Sequence, residues 1–185
     1  MPTFTTAKPA DLQGIINLQA ANLPVAISAK EAKDQGFVTV QHDLAILTQM
    51  NTPYPHIIAK DADQVVGYTL VMERRFGAKI PVLVPMFELI NTLHFEGQSL
   101  AESTYFVMGQ VCVAKNHRGQ GVFAGLYQLL AQQMNAHFDY CITEIAKRNT
   151  RSITAHAKVG FQNIHEYTAP NGEIWVIVLL DLSKK

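Results

Sequence analysis

A basic turn that contains Gly119 and Gly121 carries groups suited to binding an anion. Glycine lacks a Cβ, so the backbone of such a turn can approach a ligand closely. If a helix begins at the turn, its first N–H groups and the positive end of its dipole also attract negative charge. Lys115 and Arg118 add two cationic side chains. This stretch predicts a turn that binds a pyrophosphate, although an ordinary turn with solvated charges has the same composition.

The elements on both sides of this turn follow from the pattern of residue types. Residues 106–113 alternate and are rich in β-formers, which predicts a largely buried strand. Beyond the glycines, apolar residues recur at the spacing typical of a helix with one buried face. These residues are Val122, Phe123, Leu126, Leu129, Leu130 and Met134. The turn is therefore predicted to connect the end of a strand to the start of a helix.

Two other phosphate-binding motifs fit this stretch less well. The nucleoside-triphosphate loop needs the string Gly-x-x-x-x-Gly-Lys-Ser/Thr, which does not occur in the sequence. A dinucleotide-binding turn is closer, because Gly119, Gly121 and Gly125 approximate its glycines and Asp139 follows them. However, Asp139 stands at the start of the next predicted strand, whereas a ribose-binding acid belongs at a strand's end. An NAD(P)-dependent oxidoreductase is therefore the lower alternative.

A second stretch, residues 148–161, contains a helix with recognisable ends. Residues 138–145 predict a strand before it. Asn149 can cap a short helix over about residues 150–159, and Gly160 can end that helix in a left-handed conformation. Asn149 is then either a cap alone or a cap that also contacts a ligand.

Together the two stretches resemble the signatures of the GNAT-type N-acetyltransferase superfamily. The first signature is Gln/Arg-x-x-Gly-x-Gly/Ala, which residues 118–123 match except that Phe123 replaces a small residue. The second signature runs from an Asn to an aromatic residue, a Lys and Gly-Phe, and His156 stands where Tyr is usual. Its matching residues are Asn149, Ser152, Ile153, His156, Lys158, Gly160 and Phe161.

The resemblance implies a fold and a cosubstrate. The fold would be α/β, a single domain over residues 1–185, with a mixed, strongly twisted sheet flanked by helices. Its central strands, 106–113 and 138–145, would splay apart and leave a wedge for acetyl-coenzyme A. The implied cofactor-binding residues are Val111, Cys112, Val113, Arg118, Gly119, Gln120, Gly121, Val122, Phe123, Asn149 and Ser152.

The implied reaction is direct transfer of the acetyl group from the thioester to a primary amine. His156 is the leading candidate to protonate the departing thiolate, although imidazole titrates near neutral pH, and a purely packing role is equally open. Glu144, beside the wedge, is a candidate general base, with Glu102 and a chain of waters as alternatives. The acceptor stays open between a small-molecule amine and a protein amine. A non-catalytic coenzyme A-binding sensor or interaction module is the main alternative, since the usual Tyr is missing.

Composition limits the other classes of function. A chain of 185 residues with 48% hydrophobic content and zero formal net charge predicts one soluble, cytoplasmic domain without the basic excess that nucleic acid attracts. The apolar runs are too short to span a bilayer, and the N-terminus does not begin a signal peptide. Cys112 and Cys141 are predicted to be reduced core thiols. The scattered histidines predict no metal site.

The remaining elements are predicted from periodicity and turn residues. They are a strand over 3–7, a helix from 9 or 10 to 21, two short helices within 28–50 with the second over 40–48, strands over 56–60 and 65–74, a helix over 82–93, and strands over 161–167 and 173–182. The apolar run 174–180 fits either the inside of the sheet or an edge paired across a dimer, so a homodimer is a second prediction from this run.

Overall fold

The computed structural model describes residues 1–23, 25, 26, 38, 41–80 and 83–184. The strands are β1 (Thr3–Thr6), β2 (Ile57–Asp61), β3 (Gln64–Glu73), β4 (His94–Phe95), β5 (Gln98–Ser99), β6 (Tyr105–Val113), β7 (Tyr140–Ala146), β8 (Gln162–Thr168) and β9 (Ile174–Asp181). The α-helices within the described residues are α1 (Leu12–Ala20), α2 (Leu44–Met50), α3 (Val84–Ile90), α4 (Val122–Met134) and α5 (Thr150–Lys158). Within the described residues, 3-10 helices cover Pro9–Asp11, Arg74–Lys79 and Lys115–His117.

The strands form a mixed sheet, as predicted. Seven strands lie in the order β1-β2-β3-β6-β7-β9-β8, and β4 and β5 form a separate pair. The β6 and β7 strands are parallel, whereas β1–β2, β2–β3, β7–β9 and β8–β9 are antiparallel. The α/β class is confirmed.

The apolar strand β9 lies inside the sheet, between β7 and β8. Its residues from Val176 to Leu180 are almost completely buried. This excludes the alternative in which the run 174–180 forms an edge paired across a dimer. This strand therefore does not support a homodimer, which stays a prediction.

The chain divides into two compact units, each made of two segments. Unit 1 comprises Met1–Val71 and Gly109–Gln133, and unit 2 comprises Met72–Met108 and Met134–Lys185. The strands β3 and β6 each contribute residues to both units. The prediction of a single domain over the whole chain therefore stays a prediction.

In unit 1, α4 packs closely on the strands because two glycines replace side chains at the contact. A Cβ built on Gly67 of β3 would lie 3.0 Å from Val122 and 3.2 Å from Leu126 of α4. Gly125 of α4 leaves room for the ring of Phe4 on β1. The predicted apolar face of α4 is buried at Val122, Leu126, Leu130 and Met134. Burial of this face fixes the start of α4 at the glycine turn.

In unit 2, β7 and β9 pair over their length, from Tyr140 opposite Asp181 to Ala146 opposite Trp175. The pairing of β7 with β6 is much shorter. It covers Tyr105 to Val107 against Tyr140 to Ile142, and the hydroxyl of Thr143 then donates to Met108 O at 2.9 Å. Along these two fully described strands the ladder ends there, although both continue. The pairing of β7 with β6 is thus short, as the predicted divergence of the central strands requires.

Substitution of Thr143 tests how much its hydrogen bond to Met108 O contributes to stability. Its side chain is buried, so Thr143→Val should leave the Met108 carbonyl without this donor and lower the free energy of unfolding by about 1 kcal/mol. Urea denaturation measures the change. Thr143→Ser keeps the hydroxyl and should lose less. A valine variant as stable as the native protein would show that the hydrogen bond contributes nothing.

Other predicted elements are found with shifted ends. The helix predicted from residue 9 or 10 begins with a 3-10 turn at Pro9, and α1 starts at Leu12. The helix predicted over 40–48 is α2, which Asp43 caps by accepting from Ile46 N–H at 2.8 Å. The first of the two short helices predicted within 28–50 falls on residues outside those described. The helix predicted over 82–93 is the shorter α3.

Both cysteines are free and buried, which confirms the prediction of reduced core thiols. Burial raises the pKa of Cys112 to about 11 and raises that of Cys141 further.

Among the described residues, no helix combines the length and apolar character needed to cross a membrane.

Candidate functional site

The predicted anion-binding turn in unit 1 has an open, glycine-lined backbone. Gly119 and Gly121 have φ angles of 76° and 80°, in the left-handed region that favours glycine. A Cβ at either position would meet no atom within 4 Å. The first helical bond of α4 runs from Gly125 N–H to Gly121 O at 3.0 Å, and a helix start leaves its first N–H groups without intrahelical acceptors. The turn therefore offers an exposed backbone surface that suits a phosphate group.

Hydrogen bonds within the turn and one contact to Asp61 hold it in shape. Gln120 donates from Nε2 to Asn116 O at 2.7 Å. His117 N–H donates to Ala114 O at 2.8 Å, and the His117 ring lies 3.1 Å from the carboxylate of Asp61. Gln120, predicted to bind cofactor, thus braces the turn through its side chain. Its backbone remains part of the exposed surface.

Arg118 is anchored on protein atoms at both ends of its guanidinium. Nε donates to Val113 O at 3.1 Å, and Nη2 donates to Asn22 Oδ1 at 2.7 Å. Asn22, just after α1, in turn donates from Nδ2 to Leu18 O at 2.9 Å. Arg118 therefore brings positive charge to the turn while it joins the end of β6 to the end of α1. No sequence pattern indicates the Asn22 contact, because the two residues are far apart in the chain.

The bulky Phe123 does not obstruct the turn. Its ring packs along its own helix against Tyr127, with 4.9 Å between ring centroids. Val122 is buried in the core of unit 1. Val122 can therefore meet a ligand only through its backbone.

At the end of β6, successive side chains alternate between a buried and a half-buried side of the strand. Cys112 is buried, whereas Val111 and Val113 are half-buried. The carbonyl of Val113 already accepts from Arg118. Because a carbonyl oxygen has two lone pairs, that bond still allows Val113 to accept a second donor. Cys112 can meet a ligand only through its backbone.

In unit 2, α5 is capped as predicted. Asn149 Oδ1 accepts from Ser152 N–H at 3.1 Å, and Asn149 O accepts from Ile153 N–H at 3.1 Å. Gly160, with a φ of 105°, follows the end of the helix. The structure thus brings Asn149 and Ser152 together at the first turn of α5.

The side chain of His156, on the same helix, also contacts Ser152. Its Nδ1 lies 2.8 Å from Ser152 O and 3.3 Å from Ser152 Oγ. Because a carbonyl only accepts, the ring proton is assigned to Nδ1. The ring packs edge-on against Phe161, and its side chain is buried. Burial lowers the pKa of His156 to about 4, against the opposing effect of the bond to Ser152.

These features oppose the predicted acid role of His156. At pH 7 only about one ring in a thousand would carry the second proton if the pKa lies near 4. The single proton of the neutral ring is engaged on Ser152 O. The packing alternative for this residue is therefore favoured.

Glu144 lies on β7 in a half-buried position. The hydroxyl of Tyr167 on β8 donates to Glu144 Oε2 at 2.5 Å. Burial raises the pKa of Glu144, and the hydrogen bond from Tyr167 opposes that rise. A carboxylate whose pKa is raised accepts a proton more readily when it is ionised. Sequence patterns did not indicate Tyr167, since the contact joins residues on different strands.

Asp139 is placed where the sequence predicted, directly before β7. Its carboxylate accepts from the N–H and hydroxyl of Thr104, at 2.9 and 2.6 Å. It is therefore engaged at the start of a strand, which weakens the dinucleotide alternative further. In the described part of the chain, His, Cys, Asp and Glu form no group of three or more that could hold a metal ion.

The chain thus combines a mixed seven-stranded sheet with a strand that leads through a glycine turn into a helix. The family model described as "Acetyltransferase (GNAT) family" matches residues 28–161. This match covers most of the chain, so the protein belongs to the GNAT acetyltransferase family.

Solved structures show the same fold at low sequence identity. The ribosomal-protein-S18-alanine N-acetyltransferase from Escherichia coli aligns with a TM-score of 0.64 at 12% identity, over 99% of this chain and 95% of that chain. A phosphinothricin acetyltransferase from Sinorhizobium meliloti, solved with acetyl-CoA, gives 0.64 at 18% identity, over 99% and 89%. A ribosomal-protein-alanine N-acetyltransferase from Brucella melitensis gives 0.63 at 19% identity, over 97% and 99%. No curated protein matches the chain in sequence.

Proposed function

We propose that this protein is an acetyl-coenzyme A-dependent N-acetyltransferase that transfers the acetyl group directly to a primary amine. The observation that carries the proposal is the open turn with two left-handed glycines, Gly119 and Gly121, at the start of α4. Family membership and a fold shared with an acetyl-CoA complex support it. When bound, acetyl-coenzyme A supplies a thioester with a thiolate leaving group.

The chain's own groups have separate roles in this proposal. In unit 1, backbone N–H groups of the turn at residues 119–123 hold the pyrophosphate, and Arg118 adds positive charge. Backbone groups of the half-buried Val111 and Val113 pair with the pantetheine amides. In unit 2, Asn149 and Ser152 are assigned to the pantetheine arm. The motif match supports these last two assignments, and the cap geometry is compatible with them.

Glu144 is the proposed general base. An acceptor amine is largely protonated at neutral pH, so it must lose a proton before its nitrogen can attack. Glu144 takes that proton, the nitrogen–carbon bond forms, and the carbon–sulfur bond breaks as the nitrogen loses its second proton to solvent. A thiolate is a weak enough base to leave without a strong acid, and solvent then supplies its proton. His156 positions the start of α5 in this scheme.

The acceptor class is proposed more broadly, as either a small-molecule amine or a protein amine. The similar structures include enzymes named for a ribosomal protein and for phosphinothricin. Both kinds of acceptor are therefore compatible with this fold.

The test is calorimetric titration with acetyl-CoA, in parallel with NADH and NADPH, followed by a thiol-release assay over a library of amines. Saturable acetyl-CoA binding with amine-dependent thiol release is expected. The buried histidine at the family's Tyr position favours a second candidate, a coenzyme A-binding module without catalysis. Binding without release for any amine, including peptide N-termini, would favour that candidate. Binding of a nicotinamide cofactor instead would overturn the proposal.

Two substitutions of Asn149 separate its role as a helix cap from its proposed contact with the cofactor. Asn149→Ala should lower the free energy of unfolding by about 1 kcal/mol, because the Ser152 N–H loses its acceptor. Asn149→Ser can still cap the helix, so it should restore stability but not coenzyme A affinity, since its hydroxyl is shorter than the carboxamide. Thermal unfolding and calorimetry measure the two effects. Full recovery of coenzyme A affinity in the serine variant would show that Asn149 acts only as a helix cap.

A further inference from the structure

The contact between Tyr167 and Glu144 joins two strands that are not neighbours. Glu144 lies opposite Ile177 of β9, and Tyr167 lies opposite Trp175 of the same strand. Residues two apart on a strand share a face, so both side chains stand on one face of the β7-β9-β8 sheet. The Tyr167 hydroxyl reaches diagonally across β9 to Glu144 Oε2, at 2.5 Å.

The register also shows which charged groups surround this carboxylate in unit 2. His165, opposite Ile177, stands on the same face as Glu144 and Tyr167. Lys147 and Arg148, which follow β7, are paired with Glu166 at 2.7 Å and Glu173 at 2.8 Å. Glu166 pairs with Val176, on the opposite face. Among the described residues, Tyr167 is therefore the titratable group that is hydrogen-bonded to Glu144.

Only one oxygen of Glu144 is engaged by the described residues. Tyr167 is the single donor to the carboxylate within them, and it binds Oε2. A carboxylate oxygen pair has about four lone-pair sites, so Oε1 can accept a further proton donor. Burial and the adjoining carboxylate both raise the pKa of Tyr167. The hydroxyl therefore keeps its proton and acts as a fixed donor.

We propose that Tyr167 is a positioning residue for acetyl transfer, whose hydroxyl fixes Oε2 of Glu144 and aims Oε1 at the acceptor ammonium. This inference rests on the proposed function, in which Glu144 is the base. In the step, one ammonium proton moves to Oε1, and the freed nitrogen pair forms the bond to the acetyl carbon as the carbon–sulfur bond breaks. The nitrogen loses its second proton to solvent, which leaves the neutral amide, and the departing thiolate takes a proton from solvent. Glu144 then releases the proton to solvent. Tyr167 neither gains nor loses a proton.

The test follows the carboxyl group itself. Enzyme labelled with ¹³C at the glutamate side-chain carboxyls is titrated by NMR, and Glu144→Gln identifies the Glu144 signal by its loss. Tyr167→Phe removes a hydrogen bond to the ionised form, so the pKa of Glu144 should rise by about one to two units. The acid limb of the kcat/KM profile should move upward by the same amount, with recovery at higher pH.

Tyr105→Phe is the matched control, because its hydroxyl donates to the amide of Asn91 at 3.2 Å instead of to a carboxylate. It should leave the Glu144 titration unchanged. An unchanged Glu144 titration in a folded Tyr167→Phe protein would overturn the inference. Loss of turnover at every pH would also overturn it, since Tyr167 would then react directly. If the titration shifts while the acid limb stays, the contact is correct but Glu144 is not the base, and the proposed function fails at that point.

Discussion

Replacing Glu144 with glutamine is expected to lower kcat for acetyl transfer by about a hundredfold or more, because the acceptor ammonium loses its general base. The glutamine has nearly the same shape and can still contact the hydroxyl of Tyr167. The affinity for coenzyme A should therefore stay close to the native value. A loss confined to kcat identifies an interaction of the reacting groups instead of a binding defect.

The pH dependence sharpens this prediction. Burial raises the pKa of Glu144, and Tyr167 partly opposes it. A base is active only when ionised, so the native rate should fall as the pH decreases through the raised pKa. That limb should be absent in Glu144→Gln. A steady-state thiol-release assay over a pH series measures both effects.

Glu166→Gln is the control for a lost carboxylate in the same sheet. Glu166 pairs with Lys147 at 2.7 Å, and its side chain is 46% exposed. Its substitution should leave kcat nearly unchanged, since surface ion pairs contribute little. If Glu144→Gln also retained the native rate, the proton would have to leave through water, and Glu144 would lose its assigned role.

The features that sequence predicted well depend on residues close together in the chain. The glycine turn, the cap at Asn149 and the buried face of α4 each follow from spacings of a few positions. Gly119 and Gly121 indicate a left-handed backbone conformation, which other residues rarely adopt. Family resemblance then linked these local signals to one fold, which the sheet order confirms.

The features that sequence missed depend on strand register or on distant segments. Tyr167 meets Glu144 only because β8 and β7 both pair with β9. Asn22 meets Arg118 across 96 positions of sequence. The place of β9 was undecided because an apolar strand suits either a buried position or an interface. The role of His156 was open for a different reason, since its chemistry depends on burial.

Arg118→Glu is expected to weaken coenzyme A binding by about tenfold to a hundredfold. The substitution removes a cation from the glycine turn and adds an anion. It also removes the bonds to Val113 O and Asn22 Oδ1 that fix the end of β6 beside α1. Both effects act on the surface proposed to hold the pyrophosphate, so they should add to the loss. Calorimetry at several salt concentrations measures it.

Two further variants separate charge from positioning. Arg118→Gln removes the cation without adding an anion, and it should reduce the salt dependence of binding. Asn22→Ala keeps the cation but removes its Oδ1 partner, so it should weaken binding less and preserve the salt dependence. Because Arg118 and Asn22 are in contact, the double variant should lose less than the sum of the single losses. Additive losses would mean that Asn22 does not act through Arg118. Unchanged affinity in Arg118→Glu would mean that the pyrophosphate does not bind at this turn.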